Sequence, residues 1–574
     1  MSTPVSLSEP MSGSGASDRD SVVVCIDGIL FARMVQAGAA VLQSHRQQVN
    51  DLNVFPIPDG DTGDNMLLTV ESGAGATGDE CHSLCEMAHR VAGGMLLGAR
   101  GNSGVILSQF FDGIAKGLDG REQADATALG EAFAEGVRHA YAAVVTPAEG
   151  TVLTVIREAT QAARDGKADT PLAFLELFLA EAHRSLARTP DLLPVLKEAG
   201  VVDSGGAGLI HIIEGMAAVL RGGQVSDLES YGVGNPAEPH GKLDLDAFGV
   251  DSVLEFGYCT ELLLRLQRVK CDPETFDVGV ITAFLSEIGN SVVAFKTDSV
   301  VKLHVHTMTP DKVLAFCQQF GEFLTVKIEN MSLQHNNVVA EAETGKREPE
   351  VSPRKPFGVV AVASGEGIKE TFRSMGADRI VDGGQSMNPS TEAFLEAFRA
   401  VNADTVLVLP NNSNVILAAR QAASLYTYAD VRVLDSHTVG EGYAALSMLD
   451  TTSGDTDQIV EDLTQVMASV ITASVSACVR DADMDGIQIH PGDSIGFVGK
   501  KILSSGHTRS EAARGLVDAL DFQDREVCIL ICGVEAPEEE ARALRDYIVE
   551  RHPLTEVYMI DGGQKIYDYM LILE

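Results

Sequence analysis

The sequence predicts a multidomain chain with an all-helical N-terminal domain over about residues 22–225, an α+β middle domain over 245–340 and an α/β C-terminal region over 356–574. Three observations carry this. Apolar residues recur at helical spacing from about residue 27 to 221, without strand-like alternation. Two alternating stretches then occur between 291 and 306, and beyond 356 short apolar runs alternate with helical segments. A length of 574 residues, at about 150 per domain, fits three or four units.

In the first domain Asp27 can cap a helix in which Leu30, Met34, Ala37 and Val41 share a face, a pattern that runs on to Pro56 and Pro58. Similar stretches follow at about 65–75, 81–98, 103–118, 127–144, 152–165, 171–187 and 206–221, reading as a helical bundle or barrel. Residues 1–21 are rich in Ser, Gly and Pro and read as a disordered tail.

The segment Asn53-Val-Phe-Pro-Ile-Pro-Asp-Gly-Asp-Thr-Gly-Asp-Asn-Met66 sets Asp59, Asp61 and Asp64 with Asn65 beside two glycines. Such oxygen-rich loops hold hard cations, Mg²⁺ using one or two carboxylates with water and phosphate oxygens. An EF-hand register fails, because counting from Asp59 puts Asp64 at the glycine position and Val70 at the bidentate glutamate position. The bland alternative is a solvated acidic turn. Three Gly-rich helix starts raise the segment above that: Gly98-Ala-Arg-Gly-Asn-Ser-Gly104, Glu149-Gly-Thr-Val-Leu-Thr154 and Gly200-Val-Val-Asp-Ser-Gly-Gly-Ala-Gly208. Free N–H groups at helix starts suit phosphate. A Walker loop is not the source, since Gly496-Phe-Val-Gly-Lys500 lacks the first Gly and the following Ser/Thr. Cys81, Cys85 and His89 read as one stripe of a helix with buried thiols rather than a zinc knuckle.

In the middle domain Ser291–Lys296 and Val300–His306 form a hairpin around Thr297-Asp298, with Lys302, His304 and His306 on one face. Cys259 of Gly257-Tyr-Cys-Thr-Glu261 offers a third soft ligand, completing a Cys-His-His set that zinc accepts, against the alternative of a surface histidine pair. Farther on, Phe357–Ala363, Thr405–Leu409, Val431–Leu434, Val527–Cys532 and Val557–Ile560 read as buried strands of a largely parallel sheet, with room for two lobes dividing near 455. The loops Ser364–Lys369, Asp382–Asn388 and Leu409–Asn414 follow strands, where ligands commonly bind, though any βα turn needs such residues.

A net charge of −39, from 82 acidic and 43 basic residues, repels phosphate backbones and anionic lipid, so nucleic-acid binding is excluded. No window of about 18 apolar residues exists to span a membrane. Nine cysteines without regular spacing fit a reducing, cytoplasmic compartment.

The four N-terminal segments, Asn53–Gly63, Gly98–Ser108, Glu149–Thr151 and Val202–Gly208, resemble the nucleotide-binding domain of the dihydroxyacetone kinase L-subunit family. The domain order, with Gly257–Glu261, His304-Val-His306 and Asn330–His335, is similar to that of the ATP-binding subunit of bacterial fatty acid kinase. The resemblance implies an eight-helix barrel binding ATP and Mg²⁺, with Asp59 and Asp61 as metal ligands and catalytic carboxylates. Nucleotide contacts would fall on Thr62, Asn65, Asn102, Ser103, Thr151 and Asp203. Relatives acting on dihydroxyacetone place a third aspartate upstream, where this chain has Asn53 and Val54, and fatty acid kinases usually carry Thr where it has Asp64, read here as a surface charge. Cys259, His304 and His306 would bind Zn²⁺. The partner would be a separate fatty-acid-binding protein docking on the C-terminal region, the assembly a homodimer, and the reaction phosphoryl transfer from ATP to a fatty acid carboxylate, giving an acyl phosphate for phospholipid synthesis. Two other readings remain at this point: a dihydroxyacetone-type small-molecule kinase and a non-catalytic nucleotide-binding regulator.

Overall fold

A computed structural model of the chain describes residues 23–52, 57, 60–78, 81–222, 258–272, 276–297, 300–307, 309–330, 354–383, 388–484 and 486–574. Asp59, most of the segment 53–58, the N-terminal tail and the acidic linker near 232–239 lie outside these residues. The chain divides into two compact units, one formed by residues 1–236 with 354–574 and the other by 237–353.

Nine helices fill the N-terminal part among the described residues: α1 (Gly28–Asn50), α2 (Thr62–Gly75), α3 (Leu84–Gly98), α4 (Gly101–Gly117), α5 (Ala126–Ala142), α6 (Val152–Asp165), α7 (Pro171–Leu192), the short α8 (Pro194–Ala199) and α9 (Ser204–Leu220). Helices α1 to α7 pack in sequence, each on the next; α7 packs on α9, and α9 on α1. The α1–α9 contact is close because it meets glycine on both sides: a Cβ at Gly38 would lie 2.8 Å from the Ile212 carbonyl oxygen, and one at Gly215 would strike the Ala37 backbone. Asp27 caps α1 through the Leu30 N–H. The helix ends at Asn50, short of the prolines, and the Asn50 side-chain oxygen then takes the Gly63 N–H at 2.7 Å. Asn50 thus links the end of α1 to the start of α2. The centre is aromatic: the Phe133 ring meets Phe110, Phe174 and Phe178 edge-on at centroid distances of 5.5, 5.3 and 5.6 Å.

The unit of residues 237–353 holds an antiparallel sheet in the order β2 (Gly289–Thr297), β3 (Val300–Thr307), β1 (Tyr258–Leu266), β4 (Gly321–Asn330). Leu262, Leu264, Val301, Leu303 and Val305 are buried on one face, with Ile281 and Leu285 of α10 (Gly279–Ile288) and with Val313 and Cys317 of α11 (Pro310–Cys317).

Residues 354–574 carry two larger sheets. The first is wholly parallel, in the order β6 (Arg379–Asp382), β5 (Lys355–Ala363), β7 (Ala403–Leu409), β8 (Asp430–Val433), with α12 (Glu366–Ser374), α13 (Thr391–Val401), α14 (Ile416–Leu425) and α15 (Val439–Ser447) between and after its strands. The second follows α16 (Thr456–Ser469) and departs from the expected parallel pattern. Its order is β13 (Lys501–Gly506), β12 (Ser494–Val498), β9 (Ile471–Ala477), β16 (Tyr569–Leu573), β14 (Val527–Cys532), β15 (Glu556–Asp561), and only β14 and β15 run parallel. Buried apolar runs look alike in either direction; the connections decide. The Gly499-Lys500 turn, with Gly499 at φ +59, folds β13 back on β12, and the short 562–568 loop returns β16 antiparallel to β14. A small ribbon of β10 (Ala482–Met484) and β11 (Ile487–Ile489), α17 (Arg509–Ala519) and α18 (Glu538–Arg551) complete this lobe.

Candidate active site

Four helix starts come together. Ser204 at the start of α9 donates its hydroxyl to Thr62 Oγ1 at the start of α2, 3.2 Å away. Asp203 caps α9 by accepting the Gly206 N–H at 2.7 Å and also takes the Val152 N–H at the start of α6. Asn65, buried in the first turn of α2, sits against Gly101 at the start of α4: a Cβ on Gly101 would lie 2.5 Å from Asn65 Nδ2. Gly101 also has φ +58, a left-handed conformation that suits only glycine without strain. The starts of α2, α4, α6 and α9 therefore lie together, and the positive ends of their dipoles favour negative charge there.

Asp61 stands at the N-cap of α2 and is 9% exposed. Its Oδ2 accepts a hydrogen bond at 2.5 Å from Nδ2 of Asn388, 327 residues away. Asp64 is turned from the site, with Oδ1 3.2 Å from Arg46 Nη1 and Oδ2 accepting from Asn50 Nδ2 at 2.6 Å. It stays partly exposed and ties α2 to α1. Asn102 reaches Asn414 Oδ1 through Nδ2 at 3.4 Å, and Ser103 follows it in the first turn of α4. Thr151 spends its hydroxyl as the α6 cap, accepting from the Leu153 N–H and donating to the Ala148 carbonyl. Burial pushes the Asp203 carboxyl up to about 6, against the two backbone hydrogen bonds that lower it.

Sequence reasoning missed Arg100, Asn388 and Asn414 as members of this region. Arg100 is half-buried, which lowers its pKa from the ordinary value, and donates from Nη1 to the Asn388 carbonyl at 3.0 Å. Asn388 and Asn414 belong to strand-end loops visible in the sequence, but their place beside Asp61 and Asn102 depends on how residues 354–574 pack on the helices. Among the described residues, two buried oxygens here, Asn388 Oδ1 and Asn102 Oδ1, have no hydrogen-bond partner. A buried carboxylate with orphaned amide oxygens is the donor chemistry of a hard divalent cation, so these residues fit Mg²⁺.

The strand-end loops also line a second space. Ser364, Asn411, Asn412, Gln564 and Tyr567 border a cavity of about 70 Å³ at the carboxyl ends of β5 and β7.

In the middle unit the antiparallel register sets Cys259 opposite His306 and Glu261 opposite His304. The backbone of all four lies on β1 and β3; the side chains of Cys259, His304 and His306 lie outside the described residues. Among the described residues, Cys85, His89 and Asp119 form a metal-competent group, their ligand atoms within 4.8 Å of one another on the surface. The expected stripe through Cys81 is corrected: α3 begins at Leu84, so Cys81 precedes the helix, where it is buried and donates to the Ser83 carbonyl, while Cys85 is only partly buried.

Family profiles cover most of the chain: the DAK2 domain at residues 56–218, the middle domain of the FakA-like fatty acid kinase proteins at 255–338 and the C-terminal domain of the same FakA-like proteins at 358–574. Protein YloV of Bacillus subtilis (strain 168) is 39% identical over 560 residues, covering 96% of this chain and 99% of the relative. The chain belongs to the FakA-like fatty acid kinase family. "Uncharacterized protein SH1689" of Staphylococcus haemolyticus is 37% identical over 554 residues, covering 96% and 99% of the two chains. Among solved structures, the dihydroxyacetone kinase from C. freundii in complex with AMP-PNP and Mg²⁺ is 20% identical, covering 38% of each chain, with a TM-score of 0.27. In the domain terms of the FakA-like family, the four helix starts lie in the DAK2 domain, while Asn388 and Asn414 come from the C-terminal domain. Among the described residues no helix is long and apolar enough to cross a membrane.

Proposed function

We propose that this chain is the kinase subunit of a fatty acid kinase: its helical domain binds Mg²⁺ and ATP and passes the γ-phosphoryl group to a fatty acid carboxylate presented by a separate fatty-acid-binding protein. The observation that carries the reading is the gathering of the α2, α4, α6 and α9 starts around buried Asp61 and two orphaned amide oxygens. The ring of packed helices is read as the eight-helix barrel, with nucleotide contacts from Thr62, Asn65, Asn102, Ser103, Thr151 and Asp203.

Asp59 and Asp61 would hold Mg²⁺, which when bound neutralises charge on phosphate oxygens. N–H groups at the starts of α4 and α9 orient the phosphates, and the Arg100 guanidinium adds positive charge beside them. A fatty carboxylate is ionised at neutral pH and needs no general base. Its oxygen forms a bond to the γ-phosphorus as the bond to the β–γ bridging oxygen breaks, and ADP leaves with that electron pair. The products are acyl phosphate and ADP. Cys259, His304 and His306 are read as a zinc set in the middle domain, on the strength of the facing register of Cys259 and His306. The working assembly is read as a cytoplasmic homodimer.

The test is ATP turnover by the purified chain with and without a fatty-acid-loaded partner, beside Asp59→Ala and Asp61→Ala. Partner-dependent acyl phosphate that disappears in both variants is the expected result. Nucleotide binding without turnover, or phosphate transferred to dihydroxyacetone instead, would overturn it.

A further inference from the structure

Two described residues that flank Asp59 in the chain, Ile57 and Asp61, are each held by residues 354–574. Ile57 is 3% exposed and belongs to an apolar cluster with Cys478, Ile489, Ile495, Phe497 and Ile502, around β11, β12 and β13. Four positions later, Asp61 receives the Asn388 amide at 2.5 Å. Asn388 is itself fixed. Arg100 Nη1 binds its carbonyl at 3.0 Å, and three residues on, the Thr391 N–H donates to the Ala99 carbonyl at 3.2 Å.

An amide N–H on a metal-binding carboxylate selects the orientation in which that carboxylate meets the ion, and such outer partners strongly affect metal affinity. Asn388 is 1% exposed, and its Oδ1 is buried at the same place without a partner among the described residues. A buried acceptor in that state calls for a cation or a cation-bound water. Two independent observations thus converge on one side chain: a donor placed on the metal carboxylate and an unfilled acceptor beside it.

We propose that Asn388 is a positioning residue for Asp61, so that the C-terminal domain, through this side chain, sets the metal–nucleotide affinity of the helical domain. The proposal rests on the Mg²⁺–ATP reading above. It makes residues 354–574 part of the kinase site itself, in addition to any docking role. It also implies that the helical domain separated from residues 354–574 would bind metal–nucleotide more weakly than the full chain.

The experiment uses the full chain, with Mn²⁺ and AMP-PNP as probes, and reads the dissociation constant by calorimetry and the melting temperature with and without Mn²⁺. Asn388→Ala is expected to weaken Mn²⁺–AMP-PNP binding about 10–100-fold, the usual effect of losing an outer partner of a metal ligand. Gln109→Ala is the control. It removes the Gln109 Nε2 donation to Gln421 Oε1 (2.9 Å) elsewhere between the same domains, while Gln421 keeps its bonds to the Leu96 carbonyl and to Thr391 Oγ1. This variant is expected to lower the melting temperature while leaving the affinity unchanged. Wild-type affinity in Asn388→Ala overturns the proposal, as does an equal loss in both variants, which would mean a general docking effect. If Asn388→Ala does not fold, Asn388→Asp keeps the size and places a second carboxylate beside Asp61. That variant is expected to melt low without Mn²⁺ and to gain more than the wild type when Mn²⁺ is added; a gain equal to the wild type's overturns the idea. A wild-type chain that binds no Mn²⁺–AMP-PNP, or an Asp61→Ala chain that binds it normally, defeats the Mg²⁺–ATP reading and this inference with it.

Discussion

Ser204 Oγ and Thr62 Oγ1 lie 3.2 Å apart, joining the starts of two helices separated by 142 residues of chain. Ser204→Ala removes this tie while keeping helix propensity. A single neutral hydrogen bond contributes about 1 kcal/mol net, so a small loss in denaturant stability is expected, together with weaker nucleotide binding by titration. An unchanged nucleotide affinity would place the phosphate elsewhere.

Gly101→Ala is expected to be far more costly. The new Cβ meets Asn65 Nδ2 and lies 3.1 Å from Asn388 Nδ2, and φ +58 is unfavourable for alanine. Strain of this kind costs about 1–3 kcal/mol. Denaturant unfolding measures it, and wild-type stability would show that the α4 start is built otherwise.

Asp203 predicts a pH dependence. Burial raises its folded-state pKa to about 6, above the ordinary 3.8. The folded state therefore holds the proton more tightly. This contribution to stability is fully present below the unfolded pKa and is lost as pH rises through about 6. Asp203→Asn, which can still cap α9, is expected to flatten the stability profile between those two pKa values. Parallel profiles for variant and wild type would exclude the assignment.

Phe133 joins three edge-on ring contacts at the centre of the helical domain. Phe133→Ala leaves a cavity there, and losses of about 3–5 kcal/mol are usual for such a truncation. Thermal melting followed by circular dichroism at helical wavelengths reads it.

The middle unit gives a metal prediction. Zinc measured by elemental analysis of the purified chain is expected to be present in the wild type and lost in Cys259→Ser. Full zinc content in the variant would shift attention to Cys85, His89 and Asp119.

Much of the fold was legible because its signals are local. Asp27, Asp125, Thr151, Thr170 and Asp203 each cap the helix that follows, and a cap acts within three residues of itself. Strand β14 coincides with the apolar run Val527–Cys532. The short α8 leaves no such signal, because its six residues are too few for a period to emerge. In β9 the apolar positions are interrupted by Ser474 and Ser476, which hides a strand lying inside the six-stranded sheet. Helix α1 stops several residues before the expected prolines because Asn50 closes it by meeting Gly63, a partner that spacing alone does not reveal.

What the sequence by itself determined is the longer helices of the N-terminal domain and the succession of a helical domain followed by sheet-containing ones, since these follow from periodicity, capping and turn chemistry acting over a few residues. Only the tertiary structure decided that α2, α4, α6 and α9 begin at one place, that the second C-terminal sheet is mainly antiparallel, and that Asn388 donates to Asp61. A hydrogen bond between residues 327 positions apart leaves no period in the chain. It exists because the first parallel sheet presents its strand-end loops to the helical domain, and that placement is set by the packing of whole elements.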